Sequence, residues 1–337
     1  MERIAFILGE TFIYWSSITL TLGVVVAIFL FLGFYLWKSG NALGAALAVP
    51  SALALSMFFS RLVHWYCQSD SYPGFLAAVT DYSSGGYALL GVFIGCLVAV
   101  CLLWLVFAIR NLPEMLDAMA VAAGAGIAVG RLASLFNVSD RGMPLVNFTE
   151  LPVASAIINS VSGQTEYRLA TFLLQAIAAA VIFVIVVTFH VVGLRKNHHR
   201  KDGDSCLLFL ALYGASQIVL DSTRYDSLFL RSNGFVSIVQ IACAVALVVP
   251  IVLFSVRLVR ERGWKFWYLP FWVAIAGFLG GAGYMEYHVQ RKAHEAVFAY
   301  SVMSACLLGT IIVMLVIRGL AVSAERKKAW EAKLNNP

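Results

Sequence analysis

Arg131 lies near the far end of residues 117–137, DAMAVAAGAGIAVGRLASLFN, a run dominated by Ala and Gly. In hydrocarbon an ionisable side chain costs about 2.5 to 3.5 kcal/mol on insertion scales, so a cation there needs an anion or a task. Asp117 opens the same run, but on a helix the two are about 21 Å apart along the axis and cannot pair. Its place is structural, in the first turns, where the helix dipole favours a negative charge. Arg131 must take its counter-ion from elsewhere. Asp221 stands at comparable depth, and Asp81, Asp140, Glu150 and Glu166 compete with it.

Other residues suggest an anionic lipid as the ligand. Arg61, in Ser60-Arg61-Leu62-Val63-His64-Trp65-Tyr66, is either a snorkelling arginine reaching the headgroups or a second cation in an anionic lipid site. His64, beside Trp65 and Tyr66, reads as an interface residue. Gly85, Gly86, Gly91 and Gly95 are dense enough to let helix backbones or a lipid chain approach closely. Gln217 and Asp221 are four residues apart and share a helix face. The glycines from Gly124 to Gly130 follow no strand and are not a nucleotide loop.

These residues must be positioned by membrane helices. Of 337 residues, 61% are hydrophobic and 12% charged, against about 25% charged in soluble proteins. A span needs about 20 apolar residues, and nine stretches qualify: 12–37, 42–66, 85–110, 114–137, 166–194, 206–222, 234–256, 266–285 and 295–317. The chain is predicted to be an all-α polytopic membrane protein. The first stretch is too long for the apolar region of a signal peptide and remains as a helix. Connections on one side carry 15 Lys and Arg against 7 on the other, which predicts the N-terminus outside and the C-terminus cytoplasmic. That bias accounts for the net charge of +6 and removes the support for nucleic-acid binding. Six scattered cysteines without ligand spacing read as packing residues, and His198-His199 as part of a solvated inner loop. No metal or cofactor is called for. The expected organisation is a membrane domain over 1–262 with an outer loop or small head at 138–165. An additional hairpin follows at 263–320, then a charged tail at 321–337.

In order and spacing these landmarks resemble the prolipoprotein diacylglyceryl transferase family over roughly residues 10–260. The resemblance is carried by Ser60-Arg61-Leu62, by Gly85-Gly86 through Gly91 and Gly95, and by Asp117 followed by Gly130-Arg131 and Asn137. Tyr213-Gly214 with Asp221 and Arg224 completes it. Members of that family, in the bacterial inner membrane, move a diacylglyceryl group from phosphatidylglycerol to the lipobox cysteine of a preprolipoprotein. Where the family has His-Gly-Gly this chain has Leu90-Gly91-Val92. Ser134 and Ser139 replace an asparagine and a glutamate, while Gln217 and Asp221 replace an arginine and a glutamate.

The resemblance implies a reaction in which a thiolate displaces glycerol phosphate, which requires a phosphate clamp and a base. Arginine suits the clamp because its fork binds phosphate bidentately. Arg131, Asp221 and Arg224 are then the expected catalytic residues. Arg61, Gly85, Gly86, Gly91, Asn137 and Gln217 are expected to bind lipid. A second reading is a non-catalytic relative that binds anionic phospholipid or a lipoprotein, with the eighth and ninth stretches as a surface for a membrane-protein partner. A transporter is disfavoured, since no inverted repeat is visible.

Overall fold

Among the described residues, nine apolar helices form where hydropathy predicts them. In the computed structural model the described residues are 4–80, 85–145, 153–158, 163–195, 200–229, 236–291 and 296–335. Asp81, Glu150 and His198-His199 lie outside them. The chain opens with an antiparallel pair, β1 (Ile4–Leu8) and β2 (Thr11–Tyr14), and continues into α1 (Trp15–Ser39) and α2 (Ala42–Cys67). A short α3 (Phe75–Thr80) precedes α4 (Leu89–Leu105) and α5 (Leu112–Arg131). A second antiparallel pair, β3 (Ala154–Ile158) and β4 (Thr165–Leu169), lies within the long connection before α6 (Thr171–Arg195). The rest is helical: α7 (Asp204–Ser222), α8 (Ile238–Arg262), α9 (Leu269–Arg291) and α10 (Ala296–Asn335).

Eight of these helices are long and apolar enough to cross a membrane, and α4 is shorter at 17 residues. Its predicted span, 85–110, contracts for a local reason. Gly85 and Gly86 have φ of +70° and +82°, a left-handed backbone that delays the helix until Leu89. At α2, α5 and α8 polar side chains set the helix starts. The Asn41 side chain accepts from the Gly44 N–H at the head of α2. Ser237 and Gln240 cap α8 reciprocally, and Asn111 caps α5 with Pro113 in its first turn.

Small residues let the helices touch. A Cβ on Gly23 of α1 would meet the Gly126 carbonyl of α5 at 2.8 Å, and one on Gly91 or Gly95 would collide with the α2 backbone at Phe59–Ser60 or Ser56. Gly91 therefore makes room for a helix, which corrects its reading as a lipid contact. The hairpin α9–α10 is packed in, not appended. Ile275 and Ala282 of α9 and Met303 and Met314 of α10 share one core with Ala211 of α7 and Phe254 of α8. The charged segment after residue 320 continues α10 without a break through Asn335.

Helix α7 is held by this hairpin at both ends. At its C-terminal end the Ser222 hydroxyl donates to Glu286 Oε1 of α9 at 3.0 Å, and the Tyr300 hydroxyl of α10 donates to the Ser222 carbonyl at 3.2 Å. At its N-terminal end Asp204 pairs with Arg257 of α8 at 2.9 Å and with Arg318 of α10 at 3.0 Å. Asp117 lies near this second end, fully buried, and accepts from Arg200 Nη1 at 3.0 Å and from the Gly203 and Cys206 N–H groups at 3.0 and 2.9 Å. Its partner is thus a guanidinium from the α6–α7 connection, in addition to any helix dipole.

Candidate functional site

The last turn of α5 delivers Arg131 to the end of the bundle opposite Asp117. The chain then tightens into a 3-10 turn (Leu132–Leu135) and returns. Asp140, with φ +58°, adopts the left-handed conformation that short polar residues tolerate, and its carboxylate meets Arg131. Arg131 Nη1 lies 2.8 Å from Asp140 Oδ1, and Arg224 Nη2 lies 2.8 Å from the same oxygen. The other oxygen, Oδ2, accepts from the Ser134 hydroxyl at 2.9 Å. Asp140, named above as a competitor, is therefore the counter-ion of Arg131.

Arg224 follows α7 directly. Besides Asp140 it pairs with Asp226 at 3.0 Å and lies 3.6 Å from Asp221 Oδ1. A backbone bridge from Gly142 to Arg224 ties the two loops together, and the Asp140 N–H donates to Asp226 Oδ2 at 2.9 Å. Burial raises the Asp140 carboxyl, but the two guanidinium groups outweigh it and hold the group below the usual carboxylate range.

Beside this pair lies a cavity of about 150 Å³. Arg131, Asp140, Arg224 and the Tyr213 phenol form its polar side; Tyr87, Leu90 and Phe93 from the start of α4 form an apolar wall, with Val239 and Cys243 of α8 beyond. Leu90 occupies the position where the resemblance expects histidine. The cavity can take an anion against two guanidinium groups and an apolar chain against α4.

The other expected residues divide. Asp221 is buried one position from the end of α7. It accepts from the Ser237 hydroxyl, and its carbonyl accepts from Ser227 at 2.8 Å, so it stands behind Arg224, outside the cavity lining. Gln217 is buried, and its Oε1 accepts from Gln175 of α6 at 3.0 Å. Asn137 shapes the return loop: its side chain accepts from the Ser139 N–H at 3.0 Å and its carbonyl from Arg141 Nη2 at 2.9 Å.

Arg61 does not reach outward. It is 1% exposed and donates to the Ala78 carbonyl at 2.8 Å, the Gly86 carbonyl at 3.0 Å, the Tyr72 hydroxyl at 3.2 Å and the Gly85 carbonyl. Its guanidinium also sits 5.3 Å from the ring centroid of Tyr87, on the cavity wall. The snorkelling reading is corrected, and Gly85 and Gly86 meet Arg61 through their carbonyls. Tyr213 and Tyr87 were not among the site residues expected from sequence. The Tyr213-Gly214 pair was the available signal for the first; Tyr87 stands next to the glycines and carries none of its own.

A family model described as prolipoprotein diacylglyceryl transferase matches residues 3–256. The phosphatidylglycerol–prolipoprotein diacylglyceryl transferase of Streptococcus equi subsp. zooepidemicus is 25% identical over 251 residues, covering 74% of this chain and 94% of the relative. The protein of that name from Finegoldia magna is 25% identical over 263 residues, covering 77% and 99%. That from Streptococcus sanguinis is 22% identical over 255 residues, covering 74% and 95%. The matched region ends within α8, so α9 and α10 lie beyond it. With its apolar helices and bacterial relatives, the protein is a multi-pass protein of the bacterial cytoplasmic (inner) membrane. A match over residues 3–256 covers most of the 337, and the chain belongs to the prolipoprotein diacylglyceryl transferase family.

Proposed function

We propose that this protein transfers a diacylglyceryl group from phosphatidylglycerol to the lipobox cysteine thiol of a preprolipoprotein. The observation that carries this reading is the convergence of Arg131 and Arg224 on one oxygen of Asp140 beside a cavity with an apolar wall. Asp140 fixes both forks at the cavity wall, where a lipid phosphate would meet their guanidinium groups. In the reaction the cysteine sulfur forms a bond to the glyceryl carbon, the carbon–oxygen bond to the phosphate breaks, and glycerol phosphate departs with the thiol proton. The two arginines act on the charge that develops on the leaving phosphate. Asp221 acts as a positioning residue behind Arg224. In the orientation set by the Lys and Arg distribution, this chemistry takes place in the outer leaflet.

A second reading has its own observation. Leu90 puts an apolar side chain on the cavity wall where the resemblance expects an imidazole, and a chain without that group could bind phosphatidylglycerol, or a lipoprotein partner, without turning it over. The test is to reconstitute the purified full chain in phosphatidylglycerol vesicles with a lipobox peptide and follow the peptide's mass. Transfer predicts a diacylglyceryl adduct that Arg131→Ala abolishes. No adduct above protein-free vesicles, with phosphatidylglycerol still retained, overturns transfer and supports the binding reading.

A further inference from the structure

At the end of the bundle opposite Arg131, α6 and α10 part and leave a cavity of about 250 Å³. One side is apolar, with Phe189 and Val192 of α6 and Val322 of α10; its polar side is Arg318, Ser323 and Arg326. Arg318, Val322 and Arg326 recur at i, i+4 and i+8, so they form one stripe about 12 Å long on α10. That stripe sets two guanidinium groups against the apolar side chains of α6, the chemistry of a lipid headgroup beside its acyl chain.

The charges at this rim are out of balance. The Arg318 guanidinium is fixed over the Phe189 ring, 4.5 Å from its centroid, and pairs with Asp204, which Arg257 also engages. Arg262 Nη2 donates to the Ser323 hydroxyl at 2.5 Å and so brings a third guanidinium to the rim. Arg326 has no ion-pair partner among the described residues, and no carboxylate lines the cavity. A cavity with an apolar side and two lining arginines suits a phosphate attached to a hydrocarbon tail. Val192 is 43% exposed and Ile185, seven residues earlier on the same face, is 42% exposed, which leaves an apolar track along α6 for an acyl chain.

We propose that this cavity binds the phosphate of an anionic glycerophospholipid in the leaflet opposite the candidate reaction site. It lies against the hairpin that extends beyond the family match, and it binds lipid whether or not the protein transfers a diacylglyceryl group.

Native mass spectrometry of the full chain in detergent, titrated with phosphatidylglycerol, tests it. Wild type is expected to retain two lipids. Arg326→Glu, at an exposed position, and Val192→Trp, which fills the apolar side without changing charge, should each lose one and keep a wild-type melting transition. Arg131→Ala should lose the other. Two lipids retained by both Arg326→Glu and Val192→Trp would overturn the proposal, as would a wild type whose single lipid disappears with Arg131→Ala. Inorganic phosphate alone raising the melting temperature of wild type but not of Arg326→Glu would also overturn it, in favour of a soluble anion.

Discussion

Arg131 closes α5 and Arg224 follows the end of α7, 93 positions apart, and both end 2.8 Å from the same Asp140 oxygen. One carboxylate shared by two guanidinium groups fixes both forks before any ligand arrives. Such an arrangement reduces the ordering cost of binding a phosphate.

Arg131→Lys keeps the charge and loses the planar fork. Removal of a donor to a developing anion costs about 100-fold in rate or more. Vesicle transfer assays should show a loss of that order, and a rate within about twofold of wild type would remove Arg131 from the phosphate clamp.

Asp140→Asn leaves two arginines without their shared carboxylate. Breaking a largely buried pair costs about 3 kcal/mol. The folded-state carboxyl lies below its ordinary range, so its contribution is fully present above the unfolded value of about 3.9 and is lost as pH falls through the lower folded value. Melting curves of wild type and Asp140→Asn should therefore differ at pH 7, and the difference should begin to shrink only as pH falls below about 4.

Asp117→Ala tests the opposite end of the same helix. It strands Arg200 and two backbone N–H groups in a buried place, at a cost of about 3 kcal/mol. The melting temperature should fall while transfer per folded molecule stays within about twofold. A selective loss of activity without a loss of stability would place Asp117 in the chemistry.

Leu90→His puts an imidazole on the cavity wall. General base catalysis contributes about 100-fold or more where geometry allows, so even a loosely placed ring should raise transfer by about tenfold, with an inflection near pH 6.5 in the rate profile. An unchanged profile would mean that the thiol proton takes another route.

The helices were legible because their apolar runs match the thickness of a bilayer, and Arg131 was legible because charge is expensive inside one. Its partner was not. Depth favoured Asp221, with Asp140 as one of four competitors, and the choice of Asp140 is made by its left-handed turn and the bridge from Gly142 to Arg224, neither of which has a periodicity to read. Arg61 shows the same difficulty. An arginine near a helix end can reach for headgroups or for carbonyls, and only the path of the chain through Ala78, Gly85 and Gly86 determined that it takes carbonyls. Gly91 was recognised as a place of close approach, while what approaches it, α2, depended on the packing.

The two grips on α7 have a mechanical consequence. Glu286 and Tyr300 hold Ser222, Arg318 holds Asp204, and the two points are about 27 Å apart along the helix. A rod splinted at both ends cannot piston along its axis without releasing both clasps together, so Tyr213 has a fixed height. Any opening that admits a two-tailed molecule then belongs to the facing wall, where Tyr87 and Leu90 hang from a glycine hinge latched by Arg61.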